Sequence, residues 1–203
     1  MYIICSDLEG VYVPEIWINV SKKTGIDELK LTTRDINDYD VLMKRRLKIL
    51  HDNKLTIKDI KQVISHIDPI DGALEFINWA RKISQFIVVS DTFAEFADPL
   101  MEKLGRPTLF CHNLTIDEAG NITNYNLRQK NGKKKVVEAL QGLNFKVIAI
   151  GDSYNDTGML QQAELGILFR PPQNVIDDFP NLPIVESYDE LKALIIKQLE
   201  TDK

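Results

Sequence analysis

Tyr2-Ile3-Ile4-Cys5-Ser6 runs straight into Asp7-Leu8-Glu9-Gly10. A short apolar run followed by two acids and a glycine reads as a buried strand ending in a polar turn. The carboxyl ends of strands are where open α/β sheets bind ligands. Extended backbone alternates its side chains, so Asp7 and Glu9 point one way and Leu8 the other. Two acids aimed into one cleft repel each other, and a cation such as a metal ion belongs between them and a substrate.

The pattern recurs downstream. Phe86-Ile87-Val88-Val89 is stopped by Ser90-Asp91-Thr92, and Lys146-Val147-Ile148-Ala149-Ile150 by Gly151-Asp152. Gly166-Ile167-Leu168-Phe169 and Pro183-Ile184-Val185 are shorter strand-like runs. Helical periodicity fills 72–83, 95–104, 133–143, 157–163 and 188–199. Strands alternating with helices predict an α/β fold with a Rossmann-like, doubly wound parallel sheet.

The stretch 14–70 breaks that alternation. It reads as helices over 15–24, 40–53 and 56–67, the last opened by a capping-box-like Thr56-Ile57-Lys58-Asp59. A helical cap inserted after the first strand is the expectation, with residues 1–13 and 71–203 as the core domain and 14–70 as the cap. Residues 107–128 read as two extended runs around Glu118-Ala119-Gly120-Asn121, a hairpin.

The chain has 203 residues, 44% of them hydrophobic and 27% charged, which suits a soluble globular protein rather than a disordered one. Its net charge of −5 argues against nucleic acid as the main partner. An anionic small-molecule substrate remains compatible, because charge at the site outweighs net charge. Cys5 and Cys111 lie in apolar runs and read as buried, reduced thiols. His51, His66 and His112 are scattered, and no Cys/His cluster suggests zinc. No apolar stretch is long enough for a membrane span, and a cytoplasmic enzyme is expected.

In chain order the strand-end and helix-start residues are Asp7 and Glu9, Ser90, Lys133, and Gly151-Asp152-Ser153-Tyr154-Asn155-Asp156. A carboxylate becomes a nucleophile when an electrophile is held in line with it. A phosphoryl group is the natural partner, since its transfer needs positioning and charge neutralisation above all. Asp7 and Asp152 can offer carboxylates to Mg²⁺, and Glu9 its main-chain carbonyl or its side chain. Ser90 offers a hydroxyl, and Lys133 a mobile point charge, to the phosphoryl oxygens.

Each motif also has a plain structural reading. Ser90-Asp91-Thr92 could cap a helix beginning near Phe93, and Lys133-Lys134-Lys135 could be a solvated helix start. Asn155-Asp156 could be an N-cap, and Arg45 or Arg46 a surface ion pair. Trp17 and Trp79 read as core, and Tyr154 as a pocket wall or a packed helix-start residue.

As an ordered set, the acidic pair, the serine after a hydrophobic strand, the lysine at a helix start and the Gly-Asp-x-x-Asn-Asp turn resemble the haloacid dehalogenase superfamily of aspartate-nucleophile phosphatases. Six stretches resemble its bifunctional phosphoserine phosphatase and homoserine phosphotransferase group. They are Asp7-Leu8-Glu9-Gly10-Val11, Val13-Pro14-Glu15-Ile16-Trp17, Thr33-Arg34-Asp35, Asp40-Val41-Leu42-Met43-Lys44, Ser90-Asp91-Thr92-Phe93 and the turn at 151–156.

The resemblance implies roles. Asp7 would be the nucleophile and Glu9 the general acid and base. Asp7, Glu9 and Asp152 would hold Mg²⁺. Ser90, Lys133, Asn155 and the Asp91 amide would bind phosphate. Glu15 would face the substrate ammonium, and Arg46, rather than Arg45, its carboxylate. Asp156 would support Lys133 or a metal-bound water from behind. Two positions depart from ordinary phosphoserine phosphatases, which have Asp where Glu9 stands and Gly where Asp91 stands; the narrower group shares both features. Two other readings stay open: a phosphatase for another small phosphate ester, and a phospho-aspartate receiver, which phosphorylates an Asp after a later strand and needs no cap.

Overall fold

Strand β1 (Tyr2–Ser6) is buried on both faces, as its unbroken apolar run requires, and sits inside a seven-stranded sheet. The computed structural model describes residues 1–32, 35–36 and 38–201. Among these, the remaining strands are β2 (Gln85–Phe93), β3 (Thr108–Ile116), β4 (Ile122–Asn126), β5 (Lys146–Gly151), β6 (Leu165–Phe169) and β7 (Ile184–Val185). Their order across the sheet is β4-β3-β2-β1-β5-β6-β7. All neighbours are parallel except β3 and β4, which form the expected hairpin. The chain builds outward from β1 to β2 and β3, then returns to lay β5 on the other flank. Asp7 leaves β1 at that switch point, where flanking loops diverge and open a crevice.

Alternate residues of each strand feed two cores. Ile4, Val88, Ile148, Ile150 and Phe169 face α4 (Ala73–Ile83), α5 (Ala94–Lys103) and α9 (Tyr188–Thr201). Cys5, Ile87, Val89, Val147 and Leu168 face α6 (Gly132–Gly142), α7 (Thr157–Gln162) and the short α8 (Gln173–Asp178). Helices on both faces make the sheet doubly wound, as expected. No sequence reading anticipated α8, whose six residues after Pro171-Pro172 are too few to show a period.

The stretch after β1 folds as α1 (Ile16–Thr24), a 3₁₀ turn (Asp27–Lys30), α2 (Tyr39–Asp52) and α3 (Ile57–Ser65). Thr33 and Arg34, quoted above, lie outside the described residues. The capping box at α3 is present, the Thr56 amide donating to Asp59 at 2.8 Å. These helices are tied to α5 and to the β3–β4 hairpin. Trp17 meets Phe96 edge-on, and Lys103 donates to the Ser65 and Ile67 carbonyls at the end of α3. The hairpin turn accepts the Ile57 amide at the Gly120 carbonyl, and Tyr125 packs edge-on against Tyr39.

Two local expectations are corrected. Ser90-Asp91-Thr92 neither stops β2 nor caps a helix. The strand continues to Phe93, which precedes α5 with no side-chain cap. Register shifts between Val89↔Phe110 and Phe93↔His112, so three residues of β2 face one residue of β3. Such a bulge re-aims side chains beside a site. Cys111, opposite that bulge, is only partly buried, whereas Cys5 is fully buried; both are free thiols. Among the described residues no helix is long and apolar enough to cross a membrane.

Candidate active site

The strand ends deliver a buried charge cluster. The Asp7 amide donates to the Ile150 carbonyl at 2.9 Å, stitching the end of β1 to β5. The next amide, of Leu8, donates to Asp7 Oδ1 at 2.7 Å, while the Leu8 side chain enters the core. Lys133, in the first turn of α6, brings its ammonium 2.9 Å from Asp7 Oδ2, 2.8 Å from Asp156 Oδ1 and 3.9 Å from Asp91 Oδ2. Lys134 and Lys135 turn outward to Glu138 instead. Burial therefore separates three lysines that sequence pattern alone leaves equivalent.

Asp156 is the hinge of this half. It is fully buried, and its second oxygen accepts the Asp152 amide at 3.0 Å and the Ser153 amide at 3.1 Å. Two glycines make room. Gly10 has a φ of +76°, and a β-carbon there would collide with the Asp152 carboxyl. A β-carbon on Gly151 would collide with Asp156.

Among the described residues, Asp7, Asp152 and Asp156 form a group in which one carboxylate oxygen from each lies within 4.8 Å of the others. Burial and then the like charge of Asp156 push the Asp7 carboxyl well up, against the pull of Lys133. The same two causes raise Asp152 to about 7. Lys133 stays protonated. Burial disfavours its charge, but Asp156, Asp7 and Asp91 outweigh burial. Three buried carboxylates around one ammonium, with all donors hard oxygens, suit a further cation.

Glu9 does not join this group through its side chain. Its Oε2 accepts the Ile16 amide at the start of α1, at 2.8 Å. The bridge between Glu9 and Val13 uses the Leu8 carbonyl and Gly10 amide, leaving the Glu9 carbonyl outside that ladder. Burial, then the charge of Glu15, lifts the Glu9 carboxyl to about 8.

Asp7, Glu9, Glu15, Arg46, Ser90, Asp91, Lys133, Asp152 and Asn155 all line one cavity of about 90 Å³, with Asp156 behind it. Arg46 is buried, its guanidinium 4.5 Å from the centre of the Trp17 ring. Its Nη2 donates to the Leu31 carbonyl at 2.8 Å, while its buried Nε has no hydrogen-bond partner among the described residues. Trp17 is thus a wall of the cavity as well as core. Tyr154 stands outside it, donating to the Asn174 carbonyl.

Two cavity residues belong to none of the motifs read in the sequence: Thr32 and Tyr39. His112 lies behind Asp91, buried, with Nε2 3.4 Å from Asp91 Oδ1. No spacing rule could find it, because it arrives through the β2–β3 register. Asp91 also accepts from Asn155 at 3.1 Å, and its main-chain carbonyl takes the Tyr39 hydroxyl at 3.2 Å. Burial alone would raise the Asp91 carboxyl, but Lys133, His112 and Asn155 together hold it down at about 2.

Comparison with known proteins gives this arrangement a family. The haloacid dehalogenase-like hydrolase family matches residues 9–164. The chain belongs to the haloacid dehalogenase-like hydrolases. Within known members, this hydrolase is 54% identical over 197 residues to phosphoserine phosphatase ThrH of Pseudomonas aeruginosa, covering 97% of this chain and 96% of that protein. It is 54% identical over 195 residues to a phosphoserine phosphatase of Pseudomonas syringae pv. tomato, covering 96% of this chain and 82% of that one. Its fold matches an apo phosphoserine phosphatase crystal structure with a TM-score of 0.76 at 23% identity, over 95% of this hydrolase and 97% of that chain. A phospho-aspartyl intermediate analogue of phosphoserine phosphatase matches with a TM-score of 0.76 at 21% identity, over 95% and 98%.

Proposed function

We propose that this hydrolase is a Mg²⁺-dependent phosphoserine phosphatase that works through a phosphorylated Asp7 and also passes the phosphoryl group to L-homoserine. The carrying observation is one cavity lined at once by Asp7 and Lys133 on its strand side and by Glu9, Glu15 and Arg46 on its helix side. Its volume of about 90 Å³ equals that of roughly six to nine water positions, which suits a small ester. The buried Nε of Arg46, without a hydrogen-bond partner among the described residues, favours a carboxylate-bearing ligand, which would relieve it. Two relatives at 54% identity bear the name phosphoserine phosphatase, which supports the same substrate.

Asp7, Asp152 and the Glu9 carbonyl would hold Mg²⁺, with Asp156 bracing Asp152 and Lys133. When bound, the ion supplies positive charge to the phosphoryl oxygens and to the crowded carboxylates. Arg46 pairs with the substrate carboxylate and Glu15 with its ammonium. Ser90, Lys133, Asn155 and the Asp91 amide hold the phosphoryl oxygens. Asp7 attacks phosphorus as the bond to the serine oxygen breaks, and Glu9 gives that oxygen a proton. Glu9 then takes a proton from water, whose oxygen attacks phosphorus and releases Asp7 and phosphate. Homoserine carries the same ammonium and carboxylate as serine, so Glu15 and Arg46 can hold it with its hydroxyl in place of that water. Residues 14–70 serve as a cap over the core of 1–13 and 71–203. Free amino-acid phosphates as substrates suit a cytoplasmic enzyme.

Purified protein with Mg²⁺ and phosphoserine tests the reading. Phosphate release that disappears in Asp7→Asn is expected. Adding homoserine should yield O-phosphohomoserine and lower the phosphate released per phosphoserine consumed. Wild type and Asp7→Asn behaving alike would sink the phosphatase reading, and an unchanged phosphate yield would remove the transferase.

A further inference from the structure

Asp91 is gripped from a direction that the mechanism above leaves unused. His112 sits on β3, buried against Phe93, with ring centres 6.3 Å apart. The main-chain amide of Arg128 donates to its Nδ1 at 3.1 Å. An amide can only donate there, so Nδ1 is an acceptor and the ring proton sits on Nε2. That Nε2 faces Asp91 Oδ1 at 3.4 Å, a long contact that leaves the carboxylate some freedom to turn.

The other oxygen of Asp91 has two suitors. Asn155 donates to Oδ2 at 3.1 Å, and Lys133 stands 3.9 Å away. Lys133 is already shared between Asp7 at 2.9 Å and Asp156 at 2.8 Å. A carboxylate released by His112 could close on Lys133 by roughly an ångström, reaching ordinary ion-pair distance. Lys133 would then be drawn from Asp7, and Asn155 would lose its anchor.

We propose that His112 is a positioning residue. Through Asp91 it holds the Asn155 amide in place and keeps Asp91 off Lys133, so that Lys133 stays committed to Asp7 and the phosphoryl group. The proposal rests on the phosphoryl-transfer reading of the site. A histidine kept only for packing would owe its buried ring to Phe93 and nothing to the carboxylate, and the two roles separate by experiment.

His112→Phe keeps an aromatic ring beside Phe93 and removes both nitrogens. His112→Gln keeps an amide that can donate to Asp91. Turnover of phosphoserine and of a generic aryl phosphate should fall about tenfold in kcat for His112→Phe, with KM changed far less, as for lost outer-shell contacts elsewhere. His112→Gln should recover most of the loss. In an Asp91→Gly background, His112→Phe should have no further effect on kcat, because the relay is already cut. Wild-type kcat in His112→Phe would overturn the proposal, and so would an equal loss with and without the Asp91 carboxylate. If wild-type protein turns over the aryl phosphate but not phosphoserine, the substrate reading fails, and the His112 comparison still runs on the aryl ester.

Discussion

The two sides of the cavity are built on different principles. The strand side is a closed ionic lattice: Lys133 touches Asp7 and Asp156, and Asp156 also takes two main-chain amides. Its groups sit on the ends of parallel strands and the first turn of α6, stitched by main-chain bonds such as Asp7 to Ile150. The helix side reaches inward from the segment after β1, and its charges are less completely paired. Arg46 keeps one buried N–H without a partner among the described residues, and Glu9 is lifted to about 8. A rigid lattice with room for one more cation suits chemistry that must be held in line. Unsatisfied groups on inserted helices suit recognition, because a ligand can complete them.

Breaking the lattice should have the largest effect. Lys133→Met leaves Asp7 and Asp156 buried without their counter-ion. Phosphoserine and aryl phosphate turnover should both fall by at least about a hundredfold, as expected when preorganised charge stabilisation is removed. The metal-free protein should also lose about 3–5 kcal/mol of stability in urea unfolding. Turnover within a few-fold of wild type would mean that the lattice is structural only.

Breaking the helix side should be selective. Arg46→Ala should lower kcat/KM for phosphoserine by roughly a hundredfold, the scale of a lost bidentate charged contact. Turnover of an aryl phosphate, which has no amino-acid carboxylate, should stay near wild type. Equal losses on both substrates would merge the two sides into one functional unit.

The smallest effects concern pH and sharpen the contrast. Glu9, on the helix side, has a folded value near 8, above its ordinary value. Its contribution to metal-free stability is therefore fully present below about pH 4.3 and is lost as pH rises through 8. Asp91, on the strand side, is held near 2, below its ordinary value. Its contribution is present above about pH 3.9 and is lost as pH falls through 2. In urea unfolding from pH 2 to 9, Glu9→Gln should lessen the alkaline limb of metal-free stability, the rest of which comes from Asp7 and Asp152, and Asp91→Asn should lessen the acid limb. Interchanged limbs would contradict these environments.

The same split governs what could be read beforehand. The strand side was legible because a parallel strand that leaves a sheet marks its end with a polar turn, so Asp7 and Asp152 stood out; Ser90 stood out because it breaks an apolar run, although β2 continues through it to Phe93. The helix side was legible only through resemblance, since Glu15 and Arg46 occupy helices whose polar positions look alike. Tyr39 and His112 were invisible by either route. Tyr39 begins α2 and reaches the Asp91 carbonyl across 52 residues of chain, and His112 depends on a strand register shifted by a bulge.

Sequence alone determined the parallel α/β sheet, the helical insertion after the first strand, and the acidic pair at its carboxyl end. Those follow from local periodicity and from residues adjacent in the chain. Tertiary structure decided which lysine is buried, that Asp156 rather than the Glu9 side chain completes the carboxylate group, and that Ser90-Asp91-Thr92 forms a bulge instead of a helix cap. Each of those outcomes is a competition among groups distant in sequence for one low-dielectric space, and only the packed fold sets their distances.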